Sequence, residues 1–233
     1  MIYPDYLKYK NWYILMFGRA DSFAQRNKME QVLRIIVSKP EIHVKWLNTL
    51  SFMENAGARK ISACEHKTHV DIIQLKHAAE EHRHAYYLKK QIQKLLPHTC
   101  ENYESHSLLA ANATRYYLHK LDINVCRLLK EKLSLSGEEL KYAAYLFVTY
   151  AIEVRADALY PQYQKILTLN QQKVMVKSII VEEEGHLEEM ITQLKDFHPH
   201  WKKYASEVMI LEELLFKEWI TAIGKEVLDE SNS

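Results

Sequence analysis

Turn-forming residues are scarce in this chain of 233 residues, which contains only five glycines and five prolines. A β-sheet protein of this length needs many tight turns, and those turns depend on Gly, Pro, Asn and Asp. Gly and Pro together make up about 12% of an average protein. The sequence therefore predicts an all-α fold of long helices with few connections, and it argues against all-β and doubly wound α/β folds.

Helical periodicity and capping patterns divide the chain into seven predicted helices. Thr68 and Asp71 form one capping-box pattern, and Ser136 and Glu139 form another. Pro161 is expected to kink the fifth helix or to end it early. Residues 1–20 are aromatic and irregular, which suggests a strap on the domain surface. The predicted helices cover approximately residues 22–37, 40–61, 68–96, 104–133, 136–160, 171–197 and 201–228, within one domain spanning residues 1–233.

Charge and cysteine usage exclude several classes of partner. The chain has 31 basic and 30 acidic side chains, so no electrostatic footprint for nucleic acid or polybasic membrane anchor is expected. Cys64, Cys100 and Cys126 are widely spaced and odd in number, which favours reduced thiols in a reducing compartment. The apolar run at residues 12–17 is too short to span a bilayer. These features predict a cytoplasmic protein that binds neither nucleic acid nor membranes.

Two predicted helix pairs, residues 40–96 and 136–196, carry the same arrangement of chemical groups. Each pair has one glutamate in its first helix and a Glu-x-x-His sequence in its second. The corresponding glutamates are 99 and 102 residues apart. The candidate metal ligands are therefore Glu54, Glu81 and His84 from the first pair, and Glu153, Glu183 and His186 from the second.

The spacing of these residues points to metal chemistry. Residues i and i+3 lie on one face of a helix, so each Glu-x-x-His presents a carboxylate and an imidazole together. Four carboxylates and two imidazoles suit a pair of iron or manganese ions, which need bridging oxygen donors and one nitrogen each. Glu153 and Glu183 lie within apolar stripes, where an unpaired carboxylate is costly. The alternative is that these are boundary glutamates with salt-bridge partners.

The string Glu80-Glu81-His82-Arg83-His84 resembles a signature of the ferritin-like carboxylate di-iron superfamily, in its oxygenase and desaturase branch. The second copy, residues 182–186, has Gly185 where that family often has arginine. The resemblance implies a ferritin-like four-helix bundle, over about residues 40–196, with additional N-terminal, crossover and C-terminal helices. It also implies that Glu81 and Glu183 bridge the metals while Glu54 and Glu153 are terminal ligands.

The resemblance further assigns supporting roles around the metals. Glu182 is expected to orient His84, and Glu80 is expected to orient His186 from the opposite half. His77, one turn before Glu81, is either an additional ligand or supporting group, or a core histidine. Asp157, one turn after Glu153, is a candidate outer acid. Among fifteen tyrosines, Tyr150 is the first candidate for a redox role, although most tyrosines in helical stripes only pack.

These features predict a di-iron oxidoreductase that activates O2 to hydroxylate, desaturate or N-oxidise a small organic substrate. No catalytic residue beyond the metal ligands is predicted. Such an oxygenase needs an electron donor, and a homodimer is one expected assembly. The alternatives are ferroxidase, peroxidase or manganese-catalase-like chemistry without an organic substrate, and a metal-free helical scaffold that binds a partner.

Overall fold

The computed structural model describes residues 20–231, which form seven α-helices, one short 3₁₀ turn at Ser105–Ser107 and no β-strand. The all-α prediction is therefore confirmed for this part of the chain. The suggested strap lies outside the described residues, apart from Ala20. The helices are α1 (Ala20–Ser38), α2 (Pro40–Ala63), α3 (Ile72–Leu95), α4 (Ala111–Leu133), α5 (Gly137–Leu169), α6 (Lys177–Phe197) and α7 (Trp201–Ser231).

Among the described helices, the most extensive packing lies within two pairs, α2 with α3 and α5 with α6. The crossover helix α4 packs on α5 and α7, and α1 packs on α2, α5 and α7. Large buried aromatic rings join these layers. Trp46 of α2 stacks on Trp219 of α7 with ring centroids 5.8 Å apart, and Tyr163 of α5 meets Trp46 edge-on. The supporting helices therefore fix the two pairs against each other.

Asp71, rather than Thr68, caps the start of α3. Its carboxylate Oδ1 accepts a hydrogen bond from the backbone N–H of Ile73 at 2.8 Å. The Thr68 hydroxyl instead lies 3.0 Å from the imidazole Nδ1 of His69. The prediction that this helix begins at Thr68 is wrong because the threonine contacts its neighbouring histidines in the preceding loop.

Three other predicted boundaries also differ. Helix α4 begins at Ala111 rather than near Glu104, because Asn48 of α2 binds the Asn102 and Ser107 carbonyls at 2.9 and 2.8 Å. Helix α6 begins at Lys177 rather than near Gln171. Helix α5 continues through Pro161 to Leu169, so this proline does not end the helix.

None of the described helices combines the length and apolar composition needed to cross a bilayer.

Candidate metal centre

The structure brings the six candidate ligands together from four helices. They form two groups of four side chains whose possible ligand atoms lie within 4.8 Å of one another, and each group could hold a metal ion. Both groups contain Glu81 and Glu183. The two groups are Glu54, Glu81, His84 and Glu183, and Glu81, Glu153, Glu183 and His186.

Burial sets this cluster apart from ordinary surface carboxylates. Glu54 is half-buried, and the other five side chains are buried, with Glu153 only 2% exposed. The local sequence explains this placement on α3, where Ala78, Ala85 and Leu88 continue the stripe of Glu81 toward the core. On α6, Ile179 and Met190 do the same for Glu183. Helical periodicity therefore carries these polar groups inside with their apolar neighbours.

The two histidines have one nitrogen facing the cluster and one facing away from it. The Nε2–H of His84 donates to Glu182 Oε2 at 2.7 Å, and that of His186 donates to Glu80 Oε2 at 2.7 Å. The inward Nδ1 atoms of both rings are buried without a well-aligned hydrogen bond, and Glu153 Oε2 is also buried without one. The nearest carboxylate oxygens lie 3.0 Å from His84 Nδ1, on Glu183, and 3.5 Å from His186 Nδ1, on Glu153 and Glu183. Buried polar atoms without partners are costly. A metal ion would satisfy all three, so these residues fit one.

Each histidine is thus held from the opposite helix pair: Glu182 holds His84, and Glu80 holds His186. The resemblance implies this crossed arrangement. Arg83 joins the two outer glutamates, lying 2.7 Å from Glu182 and 3.3 Å from Glu80. Gly185 occupies the corresponding position of the second copy. Arg83 therefore contacts the outer glutamates of both halves, and Gly185 offers no side chain for this purpose.

The carboxylates have strongly shifted pKa values in the metal-free cluster. Burial, and then the neighbouring Glu54 and Glu183, raise the pKa of Glu81 well above its usual range. Burial and Glu183 do the same for Glu153. Glu183 differs because its close contacts with Glu153 and with both imidazoles outweigh burial and lower its pKa. Without cations, burial and crowding thus favour the protonated form of Glu81 and Glu153, whereas Glu183 favours the ionised form.

The imidazoles show the complementary shift. Burial opposes their charge, but the close Glu183 carboxylate and the charge of Glu54 raise the pKa of His84 to about 9. Glu153 and Glu183 likewise outweigh burial and raise the pKa of His186 to about 12. Both rings are cationic near pH 7 in the metal-free site. A metal ion would have to displace those protons, since only neutral imidazole is a ligand.

His77 is a hydrogen-bonded core histidine rather than a member of either ligand group. Its Nδ1 accepts from the Tyr145 hydroxyl at 2.9 Å, and its Nε2–H donates to Glu189 at 2.8 Å. Burial lowers its pKa, and its ring lies 4.9 Å from that of His186. Asp157 is half-buried and belongs to neither group.

The sequence reasoning missed two residues beside the cluster. The Tyr160 hydroxyl donates to Glu54, whereas Tyr150 packs edge-on against Trp201. Glu189, the partner of His77, was also missed. The sequence contained a signal for Tyr160 and for Glu189. Tyr160 follows Glu153 by two helical turns, and Glu189 follows His186 by three residues, so each lies on the same helical face as a candidate ligand.

A cavity of about 280 Å³ adjoins one side of the cluster. Glu54, Glu81 and Glu153 form part of its wall, and the rest comes from α2, the crossover helix α4 and α5. Apolar side chains such as Met53 and Ile152 dominate the lining. The cluster is therefore reached through a largely apolar space of the size that holds a small molecule.

No protein-family model, curated protein or solved structure matches this chain.

Proposed function

We propose that the protein is a di-iron oxidoreductase of the ferritin-like carboxylate superfamily, which activates O2 to oxidise a small organic molecule. The observation that carries this proposal is the pair of ligand groups that share Glu81 and Glu183. Each group adds its own glutamate and its own histidine. Two shared carboxylates with one nitrogen on each side are the donor set expected for two adjacent ions.

Charge arithmetic supports two divalent ions rather than one. Four ionised carboxylates carry a formal charge of about −4 and neutral imidazoles add none, so two divalent cations neutralise the set. One ion would leave an excess of buried negative charge, which is costly in a low-dielectric interior. The mainly oxygen donor set suits iron and manganese. Iron is favoured by the resemblance of residues 80–84 to the oxygenase branch.

The iron pair would supply the oxidising chemistry, and the side chains around it would control geometry and access. Glu54, Glu81, Glu153, Glu183, His84 and His186 would hold the ions. Glu80 and Glu182 fix the histidine rings and increase their basicity as ligands. Tyr160 restrains the Glu54 carboxylate through its hydrogen bond. The apolar cavity keeps water from the reacting substrate.

Ferroxidase or manganese-catalase-like chemistry is the second candidate, because the same six ligands would serve it. Those reactions use iron ions or hydrogen peroxide, which travel through polar channels. The apolar lining of the adjacent cavity favours an organic substrate instead. An oxygenase of this kind would also require an external electron donor.

The proposal is tested by loading the purified protein with Fe(II) without oxygen and then measuring bound iron and O2 consumption. We expect about two iron ions per chain and rapid O2 uptake, with a near-ultraviolet charge-transfer band after oxidation. Glu81→Ala should abolish stable binding of both ions, whereas the exposed Glu184→Ala should retain them. Fewer than about one ion per chain, or equal binding by these two variants, would overturn the proposal.

A further inference from the structure

The cavity beside the cluster presents few polar groups to a ligand, although several polar residues line it. The Tyr117 hydroxyl donates to the buried Glu212 at 2.7 Å, and the Tyr145 hydroxyl donates to His77 at 2.9 Å. The Tyr160 hydroxyl is held by Glu54. These three tyrosines therefore offer mainly their rings to the cavity.

Arg155 also lines the cavity, but its charge is already compensated. Its guanidinium binds Glu212 at 2.8 and 2.6 Å and Glu213 at 2.7 Å. It also stacks on the ring of Phe216, 3.8 Å from the centroid. A ligand would therefore not find an available cation there.

The more exposed end of the cavity carries an ion pair. Lys60 Nζ lies 2.8 Å from the Asp122 carboxylate, and these side chains are 39% and 26% exposed. Both line the cavity, together with the exposed His119. Lys60 follows Glu54 by six residues, which is about 9 Å along the axis of α2. The ion pair therefore lies near one end of the α2 stretch that lines the cavity, and the metal ligands lie farther along the same apolar space.

We propose that this cavity binds a substrate with an apolar body and a neutral polar end, such as an alcohol or a primary amide. The polar end contacts Lys60 and Asp122, and the apolar body extends toward Glu54. The inference rests on the proposed function in treating the bound molecule as the substrate, because the body then reaches the metal ligands.

The ion pair selects for a neutral end group. Lys60 offers a hydrogen-bond donor and Asp122 an acceptor, so a hydroxyl or carboxamide can interact with both. A ligand carboxylate would lie beside the Asp122 carboxylate, and a ligand ammonium would lie beside Lys60. Each charged end would meet a like charge in a partly desolvated place, which opposes binding.

Calorimetric titration of the metal-free protein with straight-chain compounds tests this selection. The probes are octanol, octanamide, octanoate and octylammonium. We expect the alcohol and the amide to bind at least about tenfold more tightly than either ion. Within the alcohols, each added methylene should improve affinity about fourfold until the chain reaches Glu54.

Charge variants of the ion pair provide a readout that simple loss of structure would not produce. Asp122→Asn should improve octanoate relative to octanol by about tenfold, because Lys60 then has no competing carboxylate. Lys60→Met should likewise improve octylammonium binding relative to octanol by about tenfold, because Asp122 then has no competing cation beside it. Lys141→Met, which removes an exposed ion pair with Glu138, is the matched control and should change neither ratio.

A blocking variant tests the location, since Ala156→Phe would fill the cavity and should weaken octanol binding at least about tenfold. If this variant does not fold, the two charge variants still test whether the ion pair contacts the ligand. Equal or tighter binding of octanoate by the unaltered protein, or unchanged ratios in both charge variants, would overturn the inference. Octanol binding without iron binding would overturn the proposed function alone, and iron binding without octanol binding would overturn this inference alone.

Discussion

Two outer glutamates hold the sides of His84 and His186 that face away from the cluster, each at 2.7 Å. Glu80→Gln or Glu182→Gln would keep an acceptor but remove the charge that makes the imidazole a stronger ligand. We expect each variant to lower iron affinity by roughly 10- to 100-fold with unchanged helical content. Iron-binding titrations and circular dichroism check this expectation.

Glu184→Gln is the control for this pair, because Glu184 lies on the same helix but is exposed. It should bind iron like the unaltered protein. If all three variants behave alike, the outer glutamates do not support the histidines, and the placement in the oxygenase branch loses its main structural argument.

His77 should be dispensable for metal binding, since both of its nitrogens already have partners within the protein. We expect His77→Gln to retain about two iron ions per chain, whereas His84→Gln should lose tight binding of at least one. Metal analysis of the two purified variants after gel filtration makes the comparison. Equal loss of iron in both would show that His77 is a ligand after all.

The six candidate ligands could be chosen from the sequence because i, i+3 spacing places Glu and His on one helical face. The same reasoning could not rank the tyrosines. Tyr150 and Tyr160 both lie on α5, and only the packing against α2 and α7 decides which one faces Glu54 and which one faces Trp201. The cavity could not be predicted from the sequence either, because it depends on where α4 crosses the two helix pairs.

At the scale of the helices, a buried charge network fastens α7 to α4 and α5. Glu212 is fully buried and binds both Arg155 and Tyr117. Arg155→Met should lower the free energy of unfolding by about 3–5 kcal/mol, because it leaves a buried carboxylate without its cation. Urea denaturation monitored by circular dichroism measures this change.

The double variant Arg155→Met/Glu212→Leu separates the cost of an unpaired charge from that of lost packing. It should recover most of the stability, since apolar replacements of buried ion pairs are often neutral or stabilising. A double variant as unstable as Arg155→Met, or less stable, would contradict this account of the α5–α7 contact.

The presence of the helices could be predicted from periodicity, but the residues at which α3, α4 and α6 begin could not. Each of these starts depends on a contact with a distant segment or on a competing local hydrogen bond. Gln164 of α5 binds the backbone N–H of Val176 at 2.8 Å, and both Val174 and Val176 are buried before α6 begins. The loop from Asn102 to Ser107 is similarly held by Asn48 of α2. Such tertiary contacts override a continuous helical pattern.

For the whole molecule, the raised pKa of His84 predicts how stability depends on pH without metal. The folded state holds this proton more tightly than the unfolded chain, whose histidine pKa is about 6.5. The resulting stabilisation is complete below about pH 6.5 and is lost as pH rises toward about 9. The free energy of unfolding should fall across that range, by at most about 1.4 kcal/mol per pH unit from this residue.

Iron loading should remove or reverse this dependence, because the metal requires the neutral imidazole and binds more tightly as pH rises. Chemical denaturation at pH 6, 7.5 and 9, with and without iron, makes the test, and metal-free His84→Gln should show a smaller slope. Metal-free stability that rises between pH 6.5 and 9 would contradict the protonation state assigned to the site.

We infer that two metal ions lie side by side between the two helix pairs. Anomalous diffraction from crystals of iron-loaded protein, measured on both sides of the iron absorption edge, tests it most directly. We expect two iron peaks about 3.5–4 Å apart, with Glu81 and Glu183 contacting both and one histidine Nδ1 at each. A single peak, or iron bound away from these six side chains, would contradict the claim.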